Sequence, residues 1–225
     1  LGEEFDIHGG GMDLKFPHHE CELAQNTVCS GHSHSVKYWL HSNMLTLNGE
    51  KMSKSTGQFF LPKQIFDGTT ELLEKAYSPM VVRFAMMQCH YRSTMDLSND
   101  ALLAAEKGLT RLRNGLDTID TLKEGEESLF DINSIEISFK SAMNDDFNTP
   151  ILVANLFDVI KQINSAKKEE KLISKNNREA LKNLFDVYLN QILGIELSTN
   201  SQSDRDSNIV EDDLIQLAID VRNQA

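Results

Sequence analysis

The sequence predicts two kinds of structure in one chain, α/β over about the first 60 residues and an antiparallel all-α bundle after a short connection. Three observations lead there. Glycines cluster at Gly9-Gly10-Gly11 between short β-like runs. Asn48-Gly49 is a hairpin turn signal, because both residues tolerate positive φ. Beyond residue 60, apolar residues recur at steps of three and four, the spacing of a helix buried on one face.

Taken in order, Phe5-Asp6-Ile7-His8 alternates as a short strand and the glycines then turn the chain. Pro17 suits the first turn of a helix running from His18 to about Cys29. Tyr38-Trp39-Leu40 and Met44-Leu45-Thr46-Leu47 read as strands leading into the hairpin. Ser78-Pro79 pairs an N-cap with a first-turn proline and starts a helix to about Cys89. Ser98-Asn99-Asp100 opens the next, with a seam of Leu102, Ala105, Leu109, Leu112, Leu116 and Ile119. Thr149-Pro150 starts another, with Leu152, Leu156, Val159, Ile160 and Ile163 on one face. Leu181, Leu184, Phe185, Tyr188, Leu189 and Ile192 form the last seam, and an antiparallel bundle buries all three. Residues 121–128 read as a charged loop and 198–208 as a flexible linker. The expected divisions are 1–60, 61–97, 98–197 and 198–225.

Composition narrows the function classes. Apolar residues make up 40% and aromatic residues 7%, as in globular proteins, and no apolar run reaches the ~20 residues of a membrane span. Three sparse cysteines, Cys21, Cys29 and Cys89, give no disulfide framework and fit a reducing cytoplasm. The net charge of −12 disfavours a protein covered in nucleic-acid-binding surface, although a local basic track remains compatible with it. The chain opens on Leu1-Gly2-Glu3-Glu4, with neither an initiator Met nor a signal-peptide core, and is expected to begin inside a longer protein.

Lys51-Met52-Ser53-Lys54-Ser55 carries the most chemistry. Two lysines in a small-residue loop can approach a triphosphate from one side, and the Ser53 and Ser55 hydroxyls add neutral donors. Ammonium groups closing on a departing pyrophosphate stabilise the transition state more than the ground state, and Gly57 lets such a loop move. The bland alternative is a solvated turn. A second string, Phe16-Pro17-His18-His19-Glu20-Cys21-Glu22, concentrates ligand-type side chains. On a helix, His18 and Glu22 stand at i and i+4 and can share one Zn²⁺, but two ligands do not make a tetrahedral site. Acidic residues at a helix N-terminus need no metal to explain them. The Gly9-Gly10-Gly11 run suits close approach of backbone to a nucleotide, or simply a tight turn.

These strings together resemble the class I aminoacyl-tRNA synthetases, and within them the cysteinyl-tRNA synthetase family. The pentapeptide matches the second class I signature, and the run from Phe5 to Glu22 is similar to the cysteine branch. His90-Tyr91-Arg92-Ser93 and Asp145-Asp146-Phe147-Asn148-Thr149-Pro150 also look like family strings. The resemblance implies the second half of a Rossmann-type catalytic domain, then a stem-contact-like connection and a tRNA-supporting helical bundle. It implies Lys51 and Lys54 as catalytic residues, with Lys54, Ser53, Ser55, His8, Gly10 and Asp13 binding ATP, supplied with Mg²⁺. Trp39 and His41 are candidates to line the same pocket, with plain core packing the favoured reading for Trp39. It further implies His18 and Glu22 as zinc ligands, the family's two cysteine ligands lying upstream of this chain. Zinc would prefer a substrate thiolate to a hydroxyl. The implied partners are tRNA(Cys), ATP and L-cysteine in a cytoplasmic monomer without membrane contact.

The family's first signature, of His-x-Gly-His type, is absent, so this polypeptide is expected to be inactive alone. Competing readings are a cysteine ligase acting on a sugar amine and a helical scaffold without catalysis. A zinc hydrolase ranks below both, because the adjacent histidines do not follow the helical hydrolase spacing.

Overall fold

The computed structural model describes residues 4–31, 36–52 and 59–197. Strand β1 (Phe5–Gly11) and strand β2 (Val36–Ser42) pair in parallel, with helix α1 (Glu20–Ser30) in the crossover between them. Parallel neighbours require such a crossover, and Gly31 ends the helix in the left-handed conformation at φ 70°. The hairpin forms where Asn48-Gly49 places it. Strand β3 (Leu45–Leu47) turns through Asn48 at φ 52° and Gly49 at φ 81° into β4 (Glu50–Lys51). Strand β5 (Met95–Asp96) adds to the other edge of β3 in parallel.

The helices follow. A short α2 (Pro62–Asp67) precedes α3 (Pro79–Met87), where the Ser78 hydroxyl accepts from the Val81 amide as the sequence predicts. Ser98 caps α4 (Asn99–Thr121) in the same way, accepting from the Ala101 amide. Then come α5 (Ile132–Asn144), α6 (Thr149–Lys168) and α7 (Lys175–Phe185). A wider π-type turn, Asp186–Ile192, continues α7. Helix α4 packs on α3 and α6, and α5 on α6 and α7.

The core sits in this bundle. Leu102, Leu112, Phe139, Leu152, Leu156, Ile163, Leu181 and Phe185 are all essentially inaccessible. Gly115 lies in the α4 seam because a Cβ there would meet the Ile160 side chain at 2.5 Å. Three details depart from the sequence reading. Leu116 is only half-buried. Ile192 is 44% exposed, because the π-type turn rotates it off the seam. Residues 121–128 are not merely a loop, since β6 (Lys123–Glu124) pairs in parallel with β7 (Leu172–Ile173).

The described residues 4–195 belong to one compact unit, and Glu196 and Leu197 fall outside it. The expected linker at 198–208 lies outside the described residues. Among the described residues, no helix is long and apolar enough to cross a membrane.

Candidate active site

Imidazole rings gather where β1, β2 and the entry to α1 meet. The parallel register sets His8 beside Trp39 and Gly10 beside His41. Their rings lie near His19, which is 6% exposed. The His8 centroid is 4.9 Å from His19 and 4.6 Å from Trp39, and Trp39 stacks on His41 at 6.1 Å. His19 Nδ1 and His41 Nε2 are hydrogen-bonded at 2.9 Å. Burial, then the charge of neighbouring His19, holds the His41 imidazole below its ordinary pKa. Gly10 has a specific reason to be glycine: a Cβ there would stand 2.7 Å from His19 Cε1.

Glu22 closes the group. Its Oε2 lies 3.0 Å from His8 Nε2, in ion-pair range, yet makes no hydrogen bond of acceptable geometry and is shielded from solvent. The ligand-type atoms of His8, His19 and Glu22 all fall within 4.8 Å of one another. Two imidazole nitrogens and a carboxylate oxygen form a donor set that suits Zn²⁺, and a shielded carboxylate oxygen without a hydrogen bond is what a cation would satisfy.

This differs from the expected pair. His18 is exposed and stands outside the group, while Glu22 turns to His8. The regular helix begins only at Glu20; Phe16 is extended at φ −134° and ψ 132°, and a π-type turn covers His18. The i,i+4 rule assumes unbroken α-helical winding, which the start of this helix lacks. His19 supplies a central ring of the group. Asp13 lies exposed on a 3₁₀ turn after the glycines.

Lys51 ends β4 in an exposed position. Ser53, Lys54 and Ser55 lie outside the described residues. What holds the hairpin is a residue that sequence reasoning missed. Asp96 Oδ1 accepts from the Gly49 amide at 2.7 Å and from the Thr46 hydroxyl at 2.9 Å. The Gly49 amide is the main cause holding the Asp96 carboxyl below its ordinary pKa. No local signal marks Asp96, because its role follows from a pairing between positions about 50 residues apart.

Comparison with known proteins settles the lineage. Residues 1–107 match the model of the tRNA synthetases class I (C) catalytic domain, and residues 138–198 match the DALR domain. A cysteine–tRNA ligase of Bacteroides fragilis is 46% identical over 92% of the chain and 42% of its own length. The chain belongs to the cysteinyl-tRNA synthetase family. A further family member, from Chlorobium chlorochromatii, is 40% identical over 100% of the chain and 45% of its own length. The chain thus spans less than half the length of these curated relatives.

Solved structures bear on the fold. A LeuRS from Agrobacterium radiobacter K84, in a ternary complex with tRNA and LeuAMS, superposes with TM-score 0.59 at 14% identity, covering 81% of this chain and 25% of that one. A putative arginyl-tRNA synthetase from Campylobacter jejuni gives 0.55 at 14% identity, covering 87% of this chain and 47% of that one. The class I architecture of an α/β catalytic segment joined to a helical bundle, expected from the sequence, is therefore this chain's.

Proposed function

We propose that this chain is the part of a cysteine–tRNA ligase that supplies the phosphate-facing and metal-facing wall of the adenylation site, together with the tRNA-supporting bundle. One observation carries the reading. The signature pentapeptide starts at Lys51, on the exposed end of a hairpin whose turn is pinned by Asp96, in the same chain as the imidazole cluster. The 40–46% identity to cysteine–tRNA ligases of Bacteroides fragilis and Chlorobium chlorochromatii supports it.

In the proposed reaction the cysteine carboxylate attacks the α-phosphate of ATP. The bond to the pyrophosphate breaks, and the leaving group carries its electron pair away as negative charge. Lys51 and Lys54, with Ser53 and Ser55, hold that charge as it develops. His8, Gly10 and Asp13 stand at the nucleoside end, with Gly10 leaving room for His19. A hydroxyl of the terminal ribose of tRNA(Cys) then attacks the cysteinyl carbonyl, forming the ester as the anhydride bond breaks and AMP leaves. ATP enters with Mg²⁺, and the site is proposed to be cytoplasmic and monomeric.

Zinc is proposed at the same end of the site, with Glu22 as its carboxylate ligand. The resemblance nominates His18 as the imidazole ligand, with cysteines from outside this chain, whereas the described geometry offers His8 and His19. When bound, the ion would favour a substrate thiolate over a hydroxyl.

The test is cysteine-dependent exchange between ATP and labelled pyrophosphate, followed by charging of tRNA(Cys), in the full-length ligase carrying this segment. Exchange with cysteine and none with serine is expected. No exchange in the zinc-loaded protein would refute the reading. The 225-residue chain alone is expected to show none.

A further inference from the structure

Two strings that the sequence reading set aside as family-like, around Tyr91 and around Asp146, are 55 residues apart and meet. The Tyr91 hydroxyl donates to Asp146 Oδ1 at 2.7 Å, and Arg92 Nε lies 2.6 Å from Asp146 Oδ2. Arg92 Nε also donates to the Tyr91 hydroxyl at 3.0 Å, and its guanidinium sits over the Tyr91 ring. His90 stacks on Tyr91, with its Nε2 4.0 Å from the same carboxylate.

On the far side, the backbone of this pair faces the catalytic segment. The Tyr91 carbonyl accepts from the Asn43 amide at 2.8 Å, and the Arg92 carbonyl accepts from Asn43 Nδ2 at 2.9 Å. Asn43 follows β2, which carries Trp39 and His41, and precedes the hairpin that ends at Lys51. Asp146 belongs to the turn joining α5 to α6. That turn holds two successive non-glycine residues in the left-handed region, Asp146 at φ 54° and Phe147 at φ 54°. Such backbone persists only where its surroundings over-determine it.

Beside the contact lies a cavity of about 460 Å³, lined by Met44, Met86, Met87, Met95 and Phe147. The charge-assisted bonds to Asp146 lie next to this open, largely apolar groove.

We infer that Asp146, gripped by Tyr91 and Arg92, is a positioning residue that fixes the helical bundle relative to the catalytic segment during transfer of cysteine to tRNA. The inference rests on the proposed ligase reading. A tRNA held at two places gains from the second contact only if the two surfaces are correctly spaced, so a loosened clasp lowers the effective concentration of the acceptor end at the site. Activating cysteine does not use tRNA held by the bundle. The clasp therefore separates the two half-reactions.

The experiment uses Tyr91→Phe, Asp146→Asn and the double variant in the full-length ligase, read by pyrophosphate exchange, by kcat/KM for tRNA(Cys) and by thermal unfolding. Removing one charge-assisted bond is expected to lower kcat/KM for tRNA by about tenfold, with exchange unchanged within about twofold. The double variant should lose less than the sum of the two single losses, because Tyr91, Arg92 and Asp146 form one connected network. Equal losses in both reactions, no loss in either, or additive losses in the double variant would overturn the inference. Absence of exchange in the unsubstituted ligase would instead sink the ligase reading itself.

Discussion

The bundle and the β1–β2 segment use their side chains differently. In the bundle, nearly every seam residue disappears into the core, and α4, α5 and α6 each bury one apolar face. In the β1–β2 segment, α1 has no buried residue, while Ile7, Phe16, Val28 and Tyr38 are 58%, 78%, 82% and 67% exposed. The polar His19 is buried there at the same time. In this chain, one region buries its apolar area, while the other leaves apolar side chains exposed around a cluster of imidazoles and a carboxylate.

The largest effect that tests this contrast is a core deletion. Phe139→Ala is expected to cost about 3–5 kcal/mol in urea unfolding, whereas Val28→Ala should stay within about 0.5 kcal/mol. A large loss from Val28→Ala would break the comparison. Next comes overfilling: Gly115→Ala should cost about 1–3 kcal/mol, partly relieved by adding Ile160→Val. In the other region the expected change is in binding, not folding. Glu22→Gln should weaken Zn²⁺ affinity by about tenfold or more, measured by competition with a chromophoric chelator, while leaving the melting temperature in place. Comparing His8→Ala with His18→Ala in the same assay decides which imidazole binds.

The smallest effect is pH-dependent. The folded Asp96 carboxyl sits below its ordinary pKa, so its contribution is present above that ordinary value, about pH 4, and fades as pH falls through the folded value. Thermal unfolding of Asp96→Asn should therefore trail the unsubstituted chain at neutral pH and converge with it in acid. A gap that widens in acid would refute the hairpin's dependence on this carboxylate.

The bundle was legible because its seams are local. Ser78, Ser98 and Pro150 mark helix starts in the sequence, and each marks one in the structure. Helix α5 was not legible. Ile132, Ile135, Ile137 and Phe139 mix a period of two with one of three to four, and Ile137 ends up 68% exposed. The hairpin was legible from Asn48-Gly49, yet the carboxylate that pins it was not, because β5 reaches β3 only through tertiary pairing. In the cluster, the residue types pointed to a ligand set, but the broken winding before Glu20 changed which histidine met Glu22. Spacing rules fail where the regular period fails.

The notch at Gly115 has a consequence for motion. With Ile160 seated against bare backbone, and buried Leu112 and Ile119 on either side along α4, α6 cannot ratchet by one turn without driving a branched side chain into a filled row. Sliding is closed to this pair of helices, so a push on one end of α6 must travel its length as a tilt or not at all.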